Sequence, residues 1–212
     1  MDFHPRSRAA LGSILVLLLC GAGTAFAQTP TPAQLDYPDD PDFMVLEYTV
    51  THDELAENDP IPLLRIYGDG TVRVHIPVYM KGAGDFSLKL PADELRSLLT
   101  AVDAAGVLGF DAERVAESKA EAVEARFQRD GTYLDISDTS WTHIRVRLET
   151  YQPAASGAPA GSFDRQIRWP DVAWHAEHYP SLVEVRNLAN VEQRLRGLLR
   201  HPALQAIDSP ES

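Results

Sequence analysis

The chain has 212 residues, with 19 lysines and arginines, 31 aspartates and glutamates, and one cysteine. A formal net charge of -12 argues against a nucleic-acid-binding protein, which normally carries a basic surface. One cysteine excludes an internal disulfide and a cysteine-based zinc site, whereas 44% hydrophobic residues are typical of a folded globular protein.

The first 27 residues have the pattern of an export signal. Two arginines precede an apolar run at residues 14–19, and Ala25-Phe26-Ala27 matches an A-x-A cleavage site. We therefore expect a signal peptide over residues 1–27 and a periplasmic or secreted bacterial protein. The alternative is a lipoprotein anchored through Cys20, although Leu19 is larger than the residue that usually precedes a lipidated cysteine.

The first half of the remaining chain has mainly the pattern of strands. Residues 28–42 are rich in proline, threonine and aspartate and have no period, which predicts a flexible tether. Alternating apolar residues then predict strands at 44–50, 64–66, 72–78 and 86–90. Asp69-Gly70 predicts a hairpin with a type I′ turn, in which both central residues have positive φ.

After these strands the apolar spacing changes to the 3.6-residue period of helices. The predicted order is helix 91–105, helix 112–129, strands 134–136, 144–148 and 163–169, helix 170–178 and a last helix around 188–199. Residues 203–212 are predicted to be a disordered tail. Strands linked as hairpins and grouped apart from the helices favour a single α+β domain, residues 43–202. We expect a mostly antiparallel sheet with helices packed on one face.

Two common catalytic motifs are missing from the sequence. There is no G-x-S-x-G motif of a serine hydrolase and no G-K-[ST] phosphate loop, since Lys81-Gly82-Ala83-Gly84 joins two strands. The segment around Asp135 and Asp138, with His143 nearby, has groups for acid–base chemistry. The same segment has the composition of a β-turn, so both interpretations remain open.

The strongest metal candidate is Asp171, His175 and His178, whose spacing of i, i+4 and i+7 places all three on one helix face. Three such ligands and a water form an open zinc site, which makes a metal-dependent hydrolase the alternative function. Trp169 and Trp174 lie in the same segment. An aromatic cluster that packs a short helix against the sheet therefore explains the same residues.

Basic residues alternate with the apolar ones in several predicted strands. If helices cover one face of the sheet, the basic residues collect on the other face: Arg65, Arg73, His75, Lys89, Arg145 and Arg147. Such a face on an acidic protein is expected to bind an anionic macromolecule or envelope polymer. The alternative is that the arginines pair across strands with carboxylates such as Glu47 and Glu149 and bind nothing.

Several short motifs lie between Leu64 and Phe110 and before the last helix. They are Ile66-Tyr67-Gly68-Asp69-Gly70, Ala83-Gly84-Asp85-Phe86, Leu90-Pro91-Ala92-Asp93-Glu94-Leu95 and Pro180-Ser181-Leu182. In these motifs the chain resembles small exported bacterial proteins of a domain-of-unknown-function type. The resemblance is structural and implies no catalytic residue and no cofactor. The sequence as a whole favours a non-enzymatic binding domain whose partner is an envelope macromolecule or protein.

Overall fold

The structure is a computed structural model that describes residues 33–53, 58–134, 138–154 and 159–207. All of these residues belong to one compact unit. Their strands are β1 (Gln34–Asp36), β2 (Met44–His52), β3 (Leu64–Tyr67), β4 (Thr71–Ile76), β5 (Gly84–Lys89), β6 (Ser140–Gln152), β7 (Gly161–Pro170) and β8 (Gln205–Ala206). Their helices are α1 (Ala92–Ala104), α2 (Ala112–Asp130), α3 (Val172–His178) and α4 (Val183–Leu198), with a 3-10 turn at Val107–Gly109.

Every strand pair in the described residues is antiparallel, and the strands lie in the order β7-β6-β2-β3-β4-β5-β8. β1 pairs with the end of β6 that β2 does not reach, since Gln34 lies opposite Gln152 while Leu46 lies opposite Val146. Strands β2 to β5 form a meander, and β6 with β7 forms a long hairpin. The predicted α+β class with a mostly antiparallel sheet is therefore confirmed.

Apolar residues at every second position of the central strands face the helices. The buried residues of these strands include Leu46, Tyr48, Leu64, Ile66, Val72, Val74, Ile144 and Val146. The helices add to the same core Leu95, Leu99, Val115, Leu188 and Leu195. Burial of this apolar area drives folding, at about 25 cal/mol for each Å² removed from water. The alternate residues of the strands point away from the helices, to what we call the open face.

The hairpin between β3 and β4 has a turn that differs from the predicted one. Gly70 has a φ of 84°, and its N–H donates to the carbonyl oxygen of Tyr67 at 2.9 Å. Asp69 does not have a positive φ, because Asp171 is the one non-glycine residue of the described ranges that does. The turn therefore ends in a single left-handed glycine, and the prediction of a type I′ turn was wrong.

The predicted tether, residues 28–42, contains β1 in its described part. Leu35 is 6% exposed and belongs to the core, and a side chain at Gly68 would collide with the carbonyl oxygen of Pro38. The hairpin tip thus packs directly against this segment. The prediction of a tether was wrong from Gln34 onwards, because a strand of three residues is too short to show a period.

The predicted disordered tail, residues 203–212, likewise contains β8. Ala206 lies opposite Phe86 of β5, and the Ile207 N–H donates to the carbonyl oxygen of Asp85 at 3.0 Å. The prediction of disorder was therefore wrong for these described residues. Two residues that close an existing sheet edge carry no periodic signal of their own.

Some predictions fall outside the described residues. These are the signal peptide at residues 1–27 with Cys20, most of the predicted strand at 134–136, and Asp135 of the possible acid–base group. Within the part of the chain that the structure describes, no helix is long and apolar enough to cross a membrane.

Candidate functional site

The structure does not assemble Asp171, His175 and His178 into a metal site. Asp171 precedes α3 with a left-handed φ of 44°, and its carboxylate accepts hydrogen bonds from the N–H and Oγ of Ser140 at 2.8 and 3.2 Å. His178 stacks on Trp174, with ring centroids 4.4 Å apart. No group of three His, Cys, Asp or Glu side chains in the described ranges is placed to hold a metal ion. Helical spacing fails for the predicted site because Asp171 lies between β7 and α3 with a left-handed backbone and does not extend the helix face.

His175 of α3 is a core residue, at 1% exposure. Its Nδ1 lies 3.2 Å from Trp169 Nε1 and 2.8 Å from the Pro170 carbonyl oxygen, and its Nε2 has no partner among the described residues. Burial lowers the pKa of His175 below its ordinary value, which the Pro170 carbonyl only partly opposes. The aromatic-cluster interpretation of this segment therefore describes the geometry better than metal ligation does.

The residues predicted to form a basic face do project from the open face. Arg65 lies opposite Glu47 on one side and opposite Arg73 on the other. Glu47 in turn lies opposite Arg145, which lies opposite Gln166 of β7. The strand register therefore places these side chains in one continuous row across five strands. Residues that lie directly opposite each other in neighbouring antiparallel strands point to the same face of the sheet.

Several of these arginines are already paired. Arg65 Nε lies 3.0 Å from Glu47 Oε2, and Arg145 donates two hydrogen bonds of 2.8 Å to Asp164. Arg147 lies 3.5 Å from the same Asp164. The hydrogen bonds from Arg145 hold the pKa of Asp164 below its usual range. The cross-strand alternative thus applies to these three arginines, with Asp164 of β7 in the role that the sequence analysis gave to Glu149.

Two exposed arginines of the open face have no carboxylate partner among the described residues. Arg73 of β4 lies over the ring of Tyr67 at 5.9 Å, and Arg168 of β7 lies over the ring of Trp141 at 3.8 Å. Four strand spacings separate them, roughly 19 Å. Arg168 was not among the predicted residues, although its position between the apolar residues Ile167 and Trp169 has the same alternation.

A pocket of about 210 Å³ lies on the open face between these two arginines. The groups that line it are mostly polar, with proline rings on the side of the β2–β3 loop: Glu47, Thr49, Thr51, His143, Arg145 and Gln166 of the sheet and Pro60 and Pro62 of the loop. The carboxylate of Glu47 is paired with Arg65 at 3.0 Å. Thr51 Oγ1 lies 3.0 Å from His143 Nε2. Burial, and secondarily the charge of Arg168, lower the pKa of His143, so this imidazole is neutral at neutral pH.

His75, predicted as part of the binding surface, is occupied by two carboxylates. Its Nδ1 lies 2.7 Å from Asp85 Oδ1 on β5, and its Nε2 lies 3.1 Å from Asp59 Oδ2 on the β2–β3 loop. Burial lowers the pKa of His75, but the hydrogen bonds to Asp85 and Asp59 outweigh it and raise the pKa above its ordinary value. His75 therefore holds the loop that carries Pro60 and Pro62, and is not free to receive a ligand.

The side chains of the open face include groups that can bind a ligand. Guanidinium groups such as those of Arg73 and Arg168 bind carboxylates or phosphates through two parallel hydrogen bonds, and hydroxyl, amide and imidazole groups exchange hydrogen bonds with ligand hydroxyls. Comparisons of the chain with known protein families, with curated proteins and with solved structures found no match.

Proposed function

We propose that the protein is an exported, non-enzymatic binding domain that holds an anionic polymer across the open face of its sheet. The observation that carries the proposal is the pair Arg73 and Arg168. Both are exposed, both have no carboxylate partner among the described residues, and a polar pocket lies between them. Two uncompensated guanidinium groups give this face a positive local field on a chain of net charge -12.

The spacing supports a polymer as the ligand. A separation of roughly 19 Å between Arg73 and Arg168 is too large for one small anion to contact both. An extended chain that carries an acidic group on successive units reaches both arginines and passes over the pocket.

The pocket indicates the kind of unit. Its volume of about 210 Å³ is below the roughly 300 Å³ at which sites for drug-sized ligands begin, so it fits one unit of a longer chain. Thr49, Thr51 and Gln166 offer hydroxyl and amide partners that suit a sugar ring. We therefore take an acidic polysaccharide as the ligand class. Export is part of the proposal and depends on the signal pattern of residues 1–27.

The test is binding of polygalacturonate, with neutral dextran as the matched polymer. We expect Arg73→Ser and Arg168→Ser each to weaken binding about threefold, and the double variant about tenfold, because each removes one exposed charge contact. Binding should weaken further in about 0.5 M NaCl. Arg186→Ser, an exposed arginine of α4 away from the open face, is the control and should bind like the wild type.

Three outcomes would contradict the proposal. They are no binding of polygalacturonate by the wild type, equal binding of dextran, or unchanged affinity in the double variant. Circular dichroism of each variant checks that it is folded.

A further inference from the structure

More than one side chain of the β2–β3 loop contacts the sheet, and Asn58 exchanges hydrogen bonds of 2.8 and 3.0 Å with the backbone of His52 on β2. Asp59 of this loop contacts His75 Nε2 at 3.1 Å, and its other oxygen accepts the Ile61 N–H at 2.9 Å. Pro60 and Pro62, which lie on either side of Ile61 in sequence, line the pocket. The contact between Asp59 and His75 thus holds the loop at the residue directly before the two prolines that form the pocket roof.

The contact requires a proton on each ring nitrogen of His75. A carboxylate oxygen only accepts hydrogen bonds, so Nδ1 must donate to Asp85 and Nε2 must donate to Asp59. A neutral imidazole has one N–H, and its other nitrogen would direct a lone pair at a carboxylate. A His75 ring that donates a hydrogen bond from each nitrogen is therefore an imidazolium ion.

The loop contact is the weaker of the two. His75 and Asp85 lie directly opposite each other in the β4–β5 ladder, so strand pairing keeps them together, and their contact is 2.7 Å. Asp59 belongs to a loop, and its contact is 3.1 Å. When His75 becomes neutral, its remaining proton stays with Asp85 and the contact with Asp59 is lost.

We propose that the Asp59–His75 contact is a proton-operated latch for the roof of the pocket, which closes when His75 is protonated and releases the loop when it is neutral. This inference rests on the proposed function, because it regulates the same site. It predicts that the anionic polymer binds more weakly when the latch is open, since the proline side of the pocket is then no longer held in place.

The charged groups around His75 set the pH range of the latch. Asp85 faces it from β5, Asp59 from the loop, and Arg73 lies two residues away on its own strand. The two carboxylates raise the pKa of His75 above 6.5 despite its burial, so the latch is closed below that pH and opens as the pH rises through the folded-state pKa.

His143 lines the pocket, and its pKa lies below 6.5, whereas that of His75 lies above it. Burial and Arg168 lower its pKa, so it changes charge only at more acidic pH. The two histidines therefore affect binding in separate pH ranges. A measurement above pH 6.5 reports on His75.

The first experiment follows the latch without any ligand. A pH titration followed by NMR of the histidine side chains gives the titration midpoint of His75. The backbone amide signal of Ile61 reports on the loop. In the wild type we expect the Ile61 signal to shift with the midpoint of His75. In Asp59→Asn we expect the midpoint of His75 to fall toward 6.5 and the shift of Ile61 at that midpoint to disappear. If the Ile61 signal of the wild type does not shift as His75 titrates, the latch is refuted.

The second experiment measures polygalacturonate binding at about pH 6.5 and about pH 8.5, a range in which the polymer carboxylates stay ionised. The wild type should bind about threefold more weakly at the higher pH, and Asp59→Asn should bind weakly at both. Asp93→Asn, an exposed residue of α1, is the control and should behave like the wild type.

The outcomes separate the two proposals. If affinity is the same at both pH values while Arg73→Ser still weakens binding, the latch is refuted and the binding function remains. If the wild type binds at neither pH, the binding function is refuted, and the Ile61 signal alone then decides whether the latch exists.

Discussion

Glu192 and Asp164 are both carboxylates that accept hydrogen bonds from arginine, but they lie on opposite faces of the sheet. Glu192 of α4 is 4% exposed and accepts from Tyr48 at 2.9 Å, from Thr142 at 3.2 Å and from Arg196 at 2.8 and 3.0 Å. The side chain of Asp164 on the open face is 46% exposed. A buried carboxylate must be satisfied by protein groups, because an unpaired one costs several kcal/mol. An exposed pair contributes about 0–1 kcal/mol, so a ligand can replace either partner.

Two histidines repeat this contrast. His175 is surrounded by aromatic rings and a backbone carbonyl, and its burial lowers its pKa. His75 is also mostly buried, with a side chain 13% exposed, yet Asp59 and Asp85 raise its pKa. Neighbouring carboxylates, and not burial alone, therefore decide which histidine is charged. His75 therefore keeps its proton to a higher pH than His175 does, although both are mostly buried.

The largest expected effect comes from two adjacent residues of β3. Ile66 is 0% exposed on the covered face, and Arg65 lies on the open face. Ile66→Ala should lower the free energy of unfolding by about 3–4 kcal/mol, because it removes buried methyl groups and leaves a cavity. Arg65→Ala should lower it by less than about 1 kcal/mol. Urea unfolding followed by circular dichroism measures both, and equal losses would contradict the division into two faces.

A smaller effect is expected from two tyrosine hydroxyls that each donate to a carboxylate. Tyr48 donates to the buried Glu192, and Tyr151 donates to Asp103 at 2.6 Å in a partly exposed position. Tyr48→Phe should lower the free energy of unfolding by about 2 kcal/mol, since Glu192 loses a partner that water cannot replace. Tyr151→Phe should cost about 0.5 kcal/mol, because water can reach Asp103. A greater loss in Tyr151→Phe would show that burial does not control these bonds.

The smallest effect is the pH dependence of stability, for which the two histidines have opposite signs. His75 has a raised pKa, so its contribution is complete below pH 6.5 and is lost as the pH rises through its folded-state pKa. His175 has a lowered pKa, so the unfolded chain binds the extra proton and stability falls as the pH drops below 6.5. Each slope is at most about 1.4 kcal/mol per pH unit.

Urea midpoints between about pH 5 and about pH 9 test these signs. His75→Gln should flatten the loss of stability on the alkaline side, and His175→Gln should flatten part of the loss on the acidic side. Histidine NMR titration of the wild type gives the same information if His175→Gln does not fold. A midpoint for His175 above that for His75 would overturn the comparison.

Much of the architecture follows from local patterns. The two-residue period predicted the central strands and the 3.6-residue period predicted α1, α2 and α4, since these elements are long enough to show their period. β1 and β8 have three and two residues, and they exist because longer strands offer them an edge. A local pattern cannot reveal an element whose stability comes from distant residues.

The candidate site was predictable in part. Alternation placed Arg65, Arg73 and Arg145 on one face, and the same rule would have added Arg168. The predicted metal ligands failed at Asp171, because helical spacing assumes that the helix includes all three residues, and α3 begins after it. The first residue of α3 depends on where β7 ends, and the spacing of residues along the sequence does not specify that point.

Local sequence patterns are enough to place the strand side chains on one face of the sheet or the other, because the pleat of a strand fixes the alternation of its side chains. Which of the charged side chains are paired follows from contacts between elements that are distant in sequence. Asp164, Asp59 and Asp85 reach their partners from another strand or from a loop, and the partner depends on strand register and on the path of the loop. Register is set by the fit of whole strands and helices around the core, so the difference between a paired arginine and a free one is a property of the fold.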